Sequence, residues 1–159
     1  MSSFKLFIDS DGVIADFDTG AEKVFDMHPR QFEDDNGQKL FWKLLRETED
    51  FFFNLPLMPD AQLLWDTVKH LDLHILTGCP HGNWAQPQKI KFYKKHFNTD
   101  NVITCASRDK RLHKHEGKIN VLVDDWPKYK DLWEEDGGIF ILHTSVQETL
   151  EELKNLGVI

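Results

Sequence analysis

The stretch Phe4-Lys5-Leu6-Phe7-Ile8-Asp9-Ser10-Asp11-Gly12-Val13-Ile14-Ala15-Asp16-Phe17 decides how the rest of the chain is read. Phe4 to Ile8 is a short, bounded run rich in β-formers, which predicts a buried strand. It stops abruptly at two carboxylates, Asp9 and Asp11, followed by a glycine. In an open α/β sheet, ligands bind beyond the carboxyl ends of the strands, so both acids fall where a site is expected. Gly12 lets the backbone turn away at once, so a carbonyl and both side chains can converge on one point. Two hard oxygen donors plus a carbonyl suit Mg²⁺. The same Asp-Ser-Asp-Gly run also serves as plain turn chemistry after an edge strand, so the motif needs support from the rest of the chain.

The length of 159 residues predicts one domain able to bury a proper core. Hydrophobic residues at 40% and charged residues at 29% are globular values. A formal net charge of −8 argues against a nucleic-acid polymer or an anionic membrane as partner. A small anionic substrate fits only where local cations or a metal overcome that field. Two cysteines, Cys79 and Cys105, and the lack of a signal-peptide pattern point to the reducing cytoplasm. No apolar run reaches the length of a membrane span.

Beyond the opening turn, Phe17, Ala21, Val24 and Phe25 have helical spacing, and His28-Pro29 is expected to end that helix. Glu33 to Gly37 reads as a polar loop, and Leu40, Phe41, Leu44 and Leu45 as one side of a second helix. Asp50 to Pro59, with three phenylalanines and two prolines, is expected to be irregular or extended. Residues of about 17–58 thus form a helical insertion over the site, and the core is 1–16 with 59–159. Regular alternation follows. Ala61, Leu64, Trp65, Val68 and Leu71 make a helix face, and Leu73 to Leu76 a strand ending in Thr77-Gly78. Ile90, Tyr93 and Phe97 mark a helix, then come strand Val102 to Cys105 and a basic, His-containing loop from Ser107 to Lys118. Val121 to Val123 is a strand ending in Asp124-Asp125, Trp126 to Glu135 is short and helical, and Ile139 to Leu142 is the last strand. Ser145 and Glu148 form a capping box for a final helix through Leu156. The alternation predicts an α/β, Rossmann-like parallel sheet with helices on both faces.

Three further strand ends carry reactive groups. Thr77 offers a hydroxyl and Gly78 a backbone N–H for a phosphate oxygen, although Thr-Gly is also ordinary turn chemistry. Lys110 lies just beyond the Val102 strand and Lys89 opens the preceding helix; either can bring a cation to a phosphate, and each taken singly reads as a surface lysine. Asp124 and Asp125 would repel in a low-dielectric cleft unless a cation binds between them, or else they form a solvated turn. His113 and His115 with Cys105 lack compact ligand spacing and read as loop residues.

Taken in order, Asp9/Asp11, Thr77, a lysine and Asp124/Asp125, each closing a strand, resemble the haloacid dehalogenase (HAD) phosphatase superfamily over the whole chain. Finer details resemble the 5′(3′)-deoxyribonucleotidase family: Asp9 to Phe17, Phe51-Phe52-Phe53 leading to Leu57-x-Pro59-x-Ala61, Ser107-Arg108-Asp109-Lys110, and Leu122-Val123-Asp124-Asp125. The resemblance implies a small helical cap where the insertion was read. It also implies a Mg²⁺-dependent phosphomonoester hydrolase acting through an aspartyl-phosphate. Asp9 would be the nucleophile and Asp11 the general acid and then base. Mg²⁺ would lie among Asp9, the Asp11 carbonyl, Asp125 and Asp124. Thr77, the Gly78 N–H and a lysine, Lys110 in preference to Lys89, would hold phosphate oxygens. Phe17, Trp42, Phe52 and Phe53 would offer rings to the base of a nucleoside monophosphate. Gly78 departs from the serine expected in the nucleotidases, so a phosphate hydroxyl is missing there. Three other readings use the same residues: a phosphatase for a sugar phosphate or other small monoester, an idle phospho-ligand binding domain, and a receiver-type phosphoacceptor. The late position of the Asp124/Asp125 pair argues against the last.

Overall fold

β1 (Phe4–Ile8) owes its central place to apolar residues on both faces, with Lys5 the one charged side chain: four of its five residues are buried. The computed structural model, which describes residues 3–159, pairs it with β2 (Leu73–Gly78) on one side and β4 (Ile119–Asp124) on the other. β3 (Val102–Cys105) and β5 (Ile139–Leu142) complete a five-stranded parallel sheet in the order β3-β2-β1-β4-β5. The chain builds outward from β1 to β3, then returns across β1 to lay down β4 and β5. That reversal opens a crevice at the carboxyl ends of β1 and β4.

Strand alternation divides the core in two. Leu6, Ile8, Ile75, Val121, Val123 and Ile141 face the larger layer, which includes α4 (Ala61–Val68), α5 (Ala85–Phe97) and α7 (Val146–Leu156). Phe7, Leu76, Leu122 and Phe140 face the other way, onto Trp133 of the short α6 (Lys130–Glu134). The Trp133 indole N–H donates to the Ile139 carbonyl at 3.0 Å, so its burial leaves no donor unpaired.

Between β1 and α4 lie α1 (Phe17–Phe25), α2 (Pro29–Asn36), α3 (Gln38–Glu47) and an irregular aromatic segment. The chain enters and leaves this helical layer through one clasp. The Asp16 N–H donates to Pro56 O and the Met58 N–H to Ile14 O, both at 2.8 Å, around an antiparallel bridge between Ala15 and Leu57. Among the described residues, no helix is long and apolar enough to cross a membrane.

Five local expectations are corrected. α1 ends at Phe25, with Asp26 in the left-handed region (φ 55°), and Pro29 starts a helix where it was expected to finish one. Proline suits a first helical position, because its fixed φ is already helical and its missing N–H had no partner there. The presumed loop Glu33 to Gly37 is therefore largely the end of α2, and Gly37 separates it from α3. Ile90 is 42% exposed, because α5 instead turns Ala85, Lys89, Phe92 and Tyr93 inward. Lys89 accordingly lies within that helix and does not open it. The Ser107–Lys118 loop begins as a 3₁₀ segment, Ser107–His113.

On the α6 side of the sheet, buried Lys5 donates to Asp72 at 2.8 Å and also meets His74 Nδ1. Burial, then the Lys5 charge, lowers the His74 pKa; burial, then Lys95, lowers that of His96. Below about pH 6.5 the unfolded chain takes up protons that these native imidazoles resist, so their contribution to stability falls as the solution is acidified. Urea unfolding of the wild type and His74→Gln at pH 7.5 and 5.5 checks this: the wild type should lose stability relative to the variant at the acid value. An unchanged difference between the two proteins would count against the neutral His74 acceptor.

Candidate active site

Strand register brings the acids together. Ile8 pairs with Val123, and the Asp9 N–H continues the ladder to Val123 O at 2.9 Å, so Asp9 stands opposite Asp124. On the other side Ile8 pairs with Ile75, which sets Ser10 opposite Thr77. The chain then turns tightly: the Ser10 carbonyl accepts from the N–H groups of Val13, Ile14 and Ala15. Tyr93 of α5 donates its hydroxyl to Ser10 Oγ at 2.7 Å and pins the turn from beneath. Gly12 is required twice over. Its φ is 81°, and a Cβ there would lie 1.9 Å from Asp125 Oδ2.

Two buried lysines divide the carboxylates between them. Lys110 Nζ lies 2.9 Å from Asp9 Oδ1 and 2.8 Å from Asp124 Oδ2. Lys89 Nζ lies 2.8 Å from Asp11 Oδ2, 2.8 Å from Thr77 Oγ1 and 3.1 Å from the Gly78 carbonyl, over the Phe52 ring. Burial opposes the charge on Asp9, but the Lys110 ammonium outweighs it and holds that carboxyl below its ordinary range. For Asp11 the balance tips the other way: burial raises its pKa, and Lys89 offsets only part of the rise. Asp11 Oδ1 is buried without a partner. Neighbouring carboxyls with pKa values pushed apart are suited to nucleophile and proton donor respectively.

Asp9, Asp124 and Asp125 bring carboxylate oxygens within 4.8 Å of one another. Burial and then the Asp9 charge push Asp124 up to about 7; burial, Asp9 and Asp124 push Asp125 up to about 8. Asp124 is also engaged by the Trp126 N–H at 3.0 Å, whereas Asp125 is exposed at the rim. A cluster of hard oxygens that resists full ionisation fits a divalent cation such as Mg²⁺. The Asp11 carboxylate is not in this cluster and faces Lys89.

The aromatic candidates lie in different places. Phe17 is half-buried, with Phe41, Trp42, Phe51 and Phe52 ring centroids 5.6–6.2 Å away. Phe52 is almost wholly buried between Lys89 and Trp84. Phe53 instead stacks with Lys95 in the last turn of α5, about 9 Å along that helix from Lys89. Sequence reasoning had no signal for the Tyr93–Ser10 pin, since the same tyrosine reads equally well as a core residue.

No family model matches the chain, and no curated protein matches it significantly in sequence. Solved structures do resemble it. A hydrolase from Streptococcus pneumoniae TIGR4 has a TM-score of 0.59 at 12% identity, with 97% of this chain and 100% of that one covered. A predicted phosphatase from Clostridium acetobutylicum has a TM-score of 0.58 at 11% identity, covering 98% and 100%. L-2-haloacid dehalogenase from Xanthobacter autotrophicus has a TM-score of 0.57 at 15% identity, covering 99% and 84%. At these identities the likeness is one of fold: a Rossmann-like parallel sheet flanked by helices, as in these hydrolases.

Gly12→Ala tests the acid cluster. The added methyl must displace the Asp125 carboxylate and sit at a strained φ, so a loss of about 1–3 kcal/mol is expected. Millimolar Mg²⁺ should raise the melting temperature of the wild type, and the rise should shrink in the variant. A full Mg²⁺ response in Gly12→Ala would remove Asp125 from the cation site.

Proposed function

We propose that this protein is a Mg²⁺-dependent phosphomonoester hydrolase that works through an aspartyl-phosphate on Asp9. The observation that carries the reading is the opposed state of the two neighbouring acids, Asp9 held ionised by Lys110 and Asp11 drawn towards its protonated form by burial. The fold shared with a predicted phosphatase supports it. A haloacid dehalogenase has a similar fold, but three clustered carboxylates favour a cation-bound phosphate over a halogenated acid.

Asp9 attacks phosphorus, the P–O bond to the leaving group breaks, and Asp11 gives its proton to the departing alkoxide. Asp11, now a base, takes a proton from water. That water attacks the acyl phosphate, releasing inorganic phosphate and restoring Asp9. Lys89, Thr77 and the Gly78 N–H hold the equatorial oxygens, where charge spreads in the transition state. Lys110 fixes the orientation of Asp9. Asp9, Asp124 and Asp125 would hold Mg²⁺, which when bound would offset the repulsion between these carboxylates and an incoming phosphate.

The substrate we propose is a nucleoside monophosphate, preferentially a deoxynucleotide, as for a 5′(3′)-deoxyribonucleotidase. The helical layer of about 17–58 acts as the cap, and its half-buried rings, Phe17, Trp42 and Trp84, are the ones with surface left to meet a base. A sugar phosphate is the second reading, favoured by the burial of Phe41 against Phe25 and of Phe51 against Phe52. The free thiols Cys79 and Cys105 support a reducing cytoplasm, and the charge of −8 supports small ligands over nucleic acid or membrane.

Asp9→Asn should fold normally and lose turnover by several orders of magnitude. Near-normal hydrolysis by that variant would end the aspartyl-phosphate reading. A panel of 5′- and 3′-deoxynucleotides, ribonucleotides and sugar phosphates, with Mg²⁺ and with chelator, addresses the substrate. A deoxynucleotide should exceed a sugar phosphate in kcat/KM by about tenfold, and Phe17→Ala should narrow the gap. Equal values for every compound would leave only a general phosphatase.

A further inference from the structure

Gly78 closes β2 beside the lysine that meets Asp11, and it carries no side chain. The space beside it is filled from elsewhere. A Cβ on residue 78 would lie 2.0 Å from Ser107 Oγ and 3.0 Å from Ser107 Cβ. The Ser107 hydroxyl therefore occupies the volume that a side chain at residue 78 would take. It makes no hydrogen bond to any described residue.

Ser107 begins the 3₁₀ segment that also supplies Lys110. In a 3₁₀ helix, side chains at i and i+3 lie one above the other, so Ser107 and Lys110 share an edge. Lys110 reaches Asp9 from that segment, and Lys89 donates to Thr77 Oγ1 and to the Gly78 carbonyl. An unpartnered hydroxyl thus stands against the strand-end glycine that meets Lys89, on the same segment that brings Lys110 to Asp9.

We propose that Ser107 is a phosphate-binding residue, its hydroxyl donating to a phosphoryl oxygen from the place where residue 78 has no side chain. The proposal rests on the phosphohydrolase reading above. It also explains Gly78: any side chain there would displace the donor that replaces it.

The test is calorimetric titration of inorganic phosphate into the Mg²⁺-loaded protein, with kcat and KM for p-nitrophenyl phosphate and thermal melts alongside. Ser107→Ala keeps the Cβ packing and removes the hydroxyl, so it should melt like wild type and bind phosphate about tenfold or more weakly. Gly78→Ser alone should melt lower, since two side chains would compete for one space. Gly78→Ser combined with Ser107→Gly moves the hydroxyl across the gap and should recover most of the affinity. Wild-type phosphate affinity in Ser107→Ala overturns the proposal and leaves the phosphohydrolase reading intact. Absence of phosphate binding by the wild type overturns both. Should Ser107→Ala unfold, the double variant decides: regained affinity supports the exchange, and none refutes it.

Discussion

Four carboxylates meet at the ends of two adjacent strands and only two ammonium groups meet them, and this imbalance is the constraint on which the rest of the structure depends. Lys110 is shared by Asp9 and Asp124, Lys89 serves Asp11, and Asp125 is left at the rim. Buried charges are tolerated only when paired and well held. Accordingly, each lysine comes from a firmly anchored element. Lys89 rises from the inner face of α5, and Lys110 from a 3₁₀ segment packed near β2 and α6. The surplus negative charge is what a divalent cation would relieve, and it is why the protein can hold an anion at the same spot only with help.

Much of this was legible in the sequence because strand ends announce themselves. An apolar run that stops in an acid is a local pattern, and Ile8-Asp9 and Val123-Asp124 both follow it. The choice between Lys89 and Lys110 was not legible, since their contacts with Asp11 and Asp9 span 78 and 101 residues of chain. No local rule connects such distant partners. Both lysines in fact reach the strand ends, each with its own acid.

The misread elements have equally physical causes. Pro29 stops a helix from inside but starts one from its first position, and composition alone does not distinguish these. In α5, apolar residues stand on more than one side, so Ile90 imitates a core position, although of the three expected residues only Tyr93 and Phe97 pack inward. Ser107 lies in a segment without hydrophobic period, and its importance follows only from the empty flank of Gly78. Phe52 and Phe53 were read as rings offered to a base, yet Phe52 is buried against Phe51 and Trp84, and Phe53 stacks with Lys95. Phe52 also lies under the Lys89 ammonium, so the interior of the cap borders directly on the charged groups of the sheet.

The clasp at Ala15 and Leu57 gives this border a mechanical meaning. Both covalent crossings between helical layer and sheet pass through it, bonded to each other and only a few residues from Asp11. One bridge and its two flanking hydrogen bonds tie the crossings together, so a tilt of the helical layer would reach the segment that carries Asp11 and Gly12 directly. Substitutions far out in α2 or α3 that tilt the layer would then act on the strand-end acids through leverage alone, without touching one of them.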